Sequence, residues 1–270
     1  MKKLSQYISE QKQKSRKEEL VDYLKGKNYP NYLDTLEDML KDPKTKALIE
    51  DGFGGELGNT QLKFSERIIP VKKLLPTQQE IGMTQSLDYG LKGKNSVSLY
   101  FQDEPIEIKH PLITFNGVYV IDGHHRWSEI LCFNPEAEMV CINYDGDMSP
   151  IQMLKVTQGA IAASMGKLVH TSSNGINLYN EKISTIRKYI EDTIKDEVVD
   201  DFIKYNNDLQ NKNDVVDYIT DNVQDLVNDY PPIKYAPDRD DMPQTSKAGE
   251  HTDKESALGR MKNKKVLKVK

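Results

Sequence analysis

The residues best equipped for chemistry stand together as Asp122, Gly123, His124, His125 and Arg126, read DGHHR, in a chain that has only five histidines. They fall where an apolar strand-like run ends and a helical pattern begins. A glycine there lets the backbone turn tightly and approach a ligand without a Cβ in the way. The first amides of the helix lack intrahelical partners, and the macrodipole adds partial positive charge at the same place. His124, His125 and Arg126 supply further donors, and the guanidinium can grip a phosphate through two parallel bonds. This pattern predicts an anion site, best suited to a phosphate. A plainer reading stands beside it: Asp122 as a helix cap, Gly123 as a turn, Arg126 as a surface ion pair, and the histidines paired with nearby carboxylates.

Metal chemistry is less well supported. Adjacent residues on a helix diverge by about 100°, so His124 and His125 cannot readily share an ion. His125 with Glu129, four residues on, is the better pair, with Asp122 nearby, but no HExxH or clustered cysteine motif is present. Cys132 and Cys141 lack the spacing of a zinc knuckle or redox pair and read as buried thiols of a reducing compartment. Magnesium held mainly by the phosphates of a bound nucleotide is the ion this site would take. Further upstream, Pro76 reads as a turn before a helix carrying Gln79, Glu80 and Ser86. The ordinary reading of Gln79 and Glu80 is as solvated helix positions. His110 reads as a turn residue, and His170 and His251 carry no local pattern.

The elements that must hold these residues are legible in part. Leu112 to Phe115 and Val118 to Ile121 form two β-rich runs around Asn116-Gly117, the strongest short hairpin signal. The second run feeds DGHHR and a helix from His124 to Phe133, with Trp127, Ile130 and Leu131 facing the core. MVCINYD, Met139 to Asp145, is the next strand, and IIPV from Ile68 an earlier one. From Ser149 the pattern turns helical: Pro150 to Met165, Glu181 to Ile194 with its isoleucine stripe, Val198 to Ile203, and a stripe from Val215 to Val227 behind an Asn213/Asp214 cap. The first 64 residues read as a weakly amphipathic helix from Lys2 to about Leu24, a better-patterned one from Tyr32 to Leu40, a short one opened by Asp42-Pro43, and a glycine-rich linker, FGGELGNT. A strand and lysine of the kind a phosphate loop needs are absent there. Beyond Tyr230 too few apolar residues remain to order a core, which predicts a flexible tail.

In that order IIPVKKLLPTQQEI, PLITFNGVYVIDGHHRWSEI and a following strand resemble the ParB/sulfiredoxin-like superfamily, also described as the ParB-like nuclease domain. The resemblance spans roughly Glu66 to Asp147. It implies an α+β fold: a small α/β domain over 65–148, flanked by a helical extension and linker over 1–64, a helical region over 149–230 and a flexible tail over 231–270. It also implies a phosphate-binding Gly-x-x-Arg turn, here Gly123 and Arg126. Sulfiredoxins carry a cysteine after that glycine, where this chain has His124, so sulfinic acid reduction is not expected. ParB proteins bind CTP and follow the turn with a DNA-reading region, but here 149–230 holds 8 Lys/Arg against 13 Asp/Glu. Free-serine kinases of this fold carry a DGH-type turn and an acidic residue that maps onto Glu80 as general base. Some members are assigned nuclease activity, which uses a metal held by carboxylates.

The resulting expectation is nuclease-type phosphodiester chemistry on a nucleotide or nucleic acid. Gly123, His124, His125 and Arg126 bind phosphate, His125 and Arg126 stabilise charge, and Glu80 or Asp122 acts as base, with Mg2+ and ATP, ADP or CTP as the cofactors to test. Kinase-like transfer to a small hydroxyl is the second reading. A noncatalytic protein docking into an assembly through its terminal helices and basic end is the third. Six Lys/Arg and no acid from Gly259 onward suit contact with phosphates or an acidic partner, while the net charge of -5 argues against a surface that grips nucleic acid throughout. No run is long and apolar enough for a membrane span or signal peptide, so a cytoplasmic place is expected. The lysine- and asparagine-rich style would suit a bacteriophage product acting in the host cytoplasm or carried in a virion.

Overall fold

The computed structural model describes residues 41–44, 61–93, 96–108, 111–165, 175–237 and 266–268. The expectations for residues 1–40, the glycine-rich segment 53–60, His110, His170, His251 and most of the basic end lie outside these. At the first described stretch the Lys44 amide donates to Asp42 Oδ1 at 3.2 Å, the cap expected ahead of Pro43.

The fold is α+β around one mixed sheet. The strands are β1 (Gln61–Pro70), β2 (Leu75–Pro76), β3 (Leu112–Phe115), β4 (Tyr119–Asp122), β5 (Glu138–Asp145) and β6 (Val266–Lys268), in the spatial order β2-β4-β3-β5-β1-β6. The helices are α1 (Met83–Lys92), α2 (Ser96–Tyr100), α3 (His124–Phe133), α4 (Pro150–Met165), α5 (Ile183–Thr193), α6 (Asp196–Tyr205) and α7 (Lys212–Asp229). The β3–β4 hairpin has the type I′ signature: Asn116 and Gly117 take φ of 54° and 66°, and the Val118 amide donates to the Phe115 carbonyl at 3.1 Å. Asn143 of β5 steadies that turn by accepting from the Gly117 amide at 2.7 Å.

Trp127, Ile130 and Leu131 of α3 are buried as their spacing predicts. Their cluster continues through Leu112, Val120, Met139 and Cys141 of the sheet into Ile186 and Ile190 of α5, Phe202 of α6 and Val215 to Leu226 of α7. Each such side chain contributes about 1.5–3 kcal/mol when fully buried. The sequence divisions at 64/65, 148/149 and 230/231 therefore do not coincide with breaks in packing. β1 begins at Gln61, helices α5 to α7 share the core of the sheet, and Ala236 in the predicted tail is 3% exposed. Opposite the shared core, Ile113, Phe115, Ile121 and Ile142 are also buried, on the side where α4 contacts β4.

Several boundaries differ from expectation. β1 is ten residues long rather than the short IIPV run, because eight of its residues pair with β5. Gln79 and Glu80 lie ahead of α1, which begins at Met83. The cap of α7 is Asn211, whose side chain accepts from the Asn213 and Asp214 amides, rather than those two residues themselves. The short β6 pairs with the start of β1 inside the stretch predicted as tail.

Candidate functional site

β4 delivers the site with a built-in adjustment. Ile113 pairs with Asp122 and Thr114 with Val120, which leaves Ile121 as the extra residue of a bulge immediately before the turn. A bulge re-aims the strand that carries it. Gly123 follows at φ 94° and ψ 27° as the N-cap of α3, with its carbonyl accepting from the Trp127 amide at 3.0 Å. No side chain caps this helix, so Asp122 is not the cap that the plainer reading expected. The helix thus starts from a backbone conformation that only glycine adopts readily.

Arg126 folds back over Gly123. A Cβ placed on that glycine would stand 2.7 Å from Arg126 Nη2, 2.9 Å from its Nε and 2.6 Å from Leu112 Cδ2. The guanidinium also reaches Asp122 Oδ2 at 3.4 Å, with the Arg126 side chain 28% and the Asp122 side chain 12% exposed. Asp122, expected as a possible base, is thus a buried partner that holds Arg126 across the mouth of the turn.

The two histidines take a different role from the anion donors foreseen. His124 is buried, and its Nε2 accepts the Thr77 amide at 3.1 Å, while Thr77 Oγ1 donates to the Val120 carbonyl at 2.6 Å. His125 Nε2 accepts the Gly82 amide at 3.2 Å. Both rings therefore turn their ε nitrogens onto the loop Thr77–Gly82 that joins β2 to α1. The His125–Glu129 metal pair does not form either, since Glu129 Oε1 accepts from the Tyr100 hydroxyl at 2.6 Å. Among the described residues no three of His, Cys, Asp and Glu gather where they could hold a metal.

That loop carries Glu80, and its remaining contacts come from segments that sequence reasoning left out. Asn177 Oδ1 accepts the Ile81 amide at 3.1 Å, and the Leu178 amide returns to the Ile81 carbonyl at 2.8 Å. The run 231–237 crosses the loop as a strap: Gln79 donates its amide to the Pro237 carbonyl at 3.1 Å and its Nε2 to the Ala236 carbonyl at 2.7 Å. The Ile233 amide donates to the Pro76 carbonyl at 3.1 Å. Within this frame Glu80 Oε2 is buried with no hydrogen-bond partner. A buried carboxylate oxygen left unpaired is costly, and such an atom calls for an explanation in ligand or catalytic terms. The prolines of YPPIKYAP favour an extended segment but do not mark where it docks.

One turn along α3, burial pushes the Glu129 carboxyl up to about 7, against the opposing influence of the Tyr100 hydrogen bond and Arg126. The folded state therefore holds this proton more tightly than the unfolded chain. Its contribution to stability is full below the unfolded carboxyl range and is lost as pH rises through about 7. Glu129→Gln should remove that loss, so that its stability relative to the parent rises by about 3 kcal/mol between pH 4 and pH 8. Urea unfolding of both proteins across that range measures the difference. A constant difference would show that Glu129 does not titrate there. Burial likewise raises the thiols, Cys141 to about 12 and Cys132 further, which fits two inert core cysteines.

Comparison of the chain with protein-family models, curated proteins and solved structures found no match.

Proposed function

We propose that the chain binds a phosphate group of a nucleotide or nucleic acid at the first turn of α3 and uses Glu80 as the base in phosphate-ester chemistry. The observation that carries this reading is the buried, unpartnered Glu80 oxygen on a loop fixed to that same turn. The α3 amides and the Arg126 guanidinium are suited to the negative charge that develops on the non-bridging oxygens. Glu80 takes the proton of the attacking hydroxyl or water as its oxygen bonds to phosphorus and the bond to the leaving group breaks. Arg126 is oriented for this task by Asp122.

The resemblance to ParB-like nuclease domains favours water as the attacking group, which makes phosphodiester hydrolysis the first activity to assay. The enclosed setting of the Glu80 oxygen equally suits a small hydroxyl, and this supports kinase-like transfer as the second. A hard carboxylate oxygen with no protein partner fits Mg2+ carried by the ligand phosphates, with Glu80 rather than the histidines beside it. Such an ion would neutralise phosphate charge.

Thermal unfolding tests the reading. ATP, ADP, CTP, GTP and short single-stranded DNA are each added with and without magnesium, to the parent and to Arg126→Ala. A ligand at about a hundred times its dissociation constant adds about 2.7 kcal/mol, or roughly 5–11 °C for a chain of this size. The expected result is a shift with at least one ligand in the parent that is lost in Arg126→Ala. No shift with any ligand, or a shift that survives in Arg126→Ala, would contradict the proposal. The second outcome would move attention to the basic end.

A further inference from the structure

We infer that His124 and His125 are positioning residues: neutral imidazoles that hold the two ends of the Thr77–Gly82 loop and so set the place of Glu80. The catalytic consequence rests on the reading above, whereas the brace itself stands on geometry alone. A main-chain N–H can donate only to an unprotonated ring nitrogen. For the bonds from Thr77 at 3.1 Å and Gly82 at 3.2 Å to form, Nε2 of each ring is bare and its proton sits on Nδ1; the Thr77 hydroxyl oxygen stands 3.2 Å from the same His124 nitrogen, a contact whose sense follows from that tautomer.

The divergence of neighbouring helical side chains, which denies the pair a shared metal ion, is what such a brace needs. Two rings about 100° apart can reach two separate points on one loop. One bonds where the chain leaves β2 and the other where it enters α1. Imidazole suits the task because it is a rigid acceptor that carries a second nitrogen for its own hydrogen bond. Protonation turns each acceptor into a donor facing another donor, so each ring on protonation releases its own end of the loop. The charged residues on the segments that adjoin the rings are Glu80 in the loop, Asp122 and Arg126 in the turn, Glu129 on α3 and Lys234 on the strap. The first turn of α1, with Thr84 and Gln85, and the segment 175–178 bring none.

The test reads the brace directly. Nitrogen-15 spectra of the imidazoles in the full chain at pH 7.5 should show two rings in the Nδ1–H form. The Thr77 and Gly82 amides should exchange with solvent about fivefold more slowly than in the His124→Phe and His125→Phe variants respectively, the loss expected for a hydrogen bond of about 1 kcal/mol. As pH is lowered, each amide should lose protection in step with protonation of its own ring, Thr77 with His124 and Gly82 with His125. In steady-state assays with the ligand that binds, His125→Phe should lower kcat at least tenfold and change KM less than threefold, with partial rescue by His125→Gln. Rings protonated or in the Nε2–H form at pH 7.5, or amide exchange indifferent to the substitutions, would overturn the brace. An intact brace in a chain that binds no phosphate ligand would sink only the function proposed above.

Discussion

Gly123→Ala is expected to cost about 3 kcal/mol of stability and to abolish phosphate binding. Two separate costs add. A left-handed backbone costs a residue with a Cβ about 1–2 kcal/mol. The new methyl would also stand 2.6 Å from Leu112 Cδ2 and 2.7 Å from Arg126 Nη2, and relieving such overpacking costs about 1–3 kcal/mol. Because Arg126 is the group displaced, the loss reaches function as well as folding. Gly117 supplies the comparison, for it is also left-handed, at φ 66°, but its Cβ would meet only Arg67 Nη1 at 3.3 Å. Gly117→Ala should cost about 1 kcal/mol and leave ligand binding intact. Melting temperatures of the two variants, with and without ligand, separate these effects. Equal destabilisation would mean that Arg126 does not lie over Gly123 in solution.

Glu80→Gln should dissociate stability from activity in the opposite direction. Most substitutions near a core destabilise. Here the change removes a charge whose Oε2 is buried without a partner, so stability should hold or rise by up to about 2 kcal/mol. Loss of a general base should meanwhile lower kcat by about 10²–10⁴-fold, with ligand affinity retained because the α3 amides and Arg126 remain. A variant that loses stability and keeps its rate would show Glu80 to be a structural residue. In an ordinary solvated position, as the helix reading of Gln79 and Glu80 implied, neither quantity would move.

What could be read along the chain was what local chemistry decides. Asn116-Gly117 demands positive φ at both positions, and Gly123 must bend before a helix, so the hairpin and the start of α3 are local consequences of residue type. The stripes of α5 to α7 likewise need only a period of 3.6. What escaped was decided by distant partners. Ser65, Glu66 and Arg67 carry no strand pattern, and their place in β1 comes from pairing with Asn143, Ile142 and Cys141. Thr77 to Gly82 has helix-forming glutamines, but its amides find better acceptors in His124, His125, Asn177 and Pro237. No local signal reveals that Pro231 onward returns to cover this loop, since its hold is mainly backbone hydrogen bonding rather than apolar periodicity.

The histidines illustrate the same limit at the site. Their type and adjacency predicted donors to an anion, and a ring nitrogen is as able to accept as to donate. Only the position of the Thr77 and Gly82 amides shows which sense applies. In the proposed function, phosphate binding is left to the backbone of α3 and to Arg126, a smaller set than the sequence reading named and one whose geometry depends on a single glycine.

The central claim is that a phosphate sits on the first turn of α3, and amide chemical shifts during ligand titration test it most directly. Spectra of the nitrogen-15-labelled chain would be followed as ATP with magnesium, and separately short single-stranded DNA, is added. The account predicts that the amides of Gly123, His124, His125 and Arg126 shift first and saturate together, with Glu80 following. Shifts confined to residues remote from this turn, or none with either ligand, would contradict it.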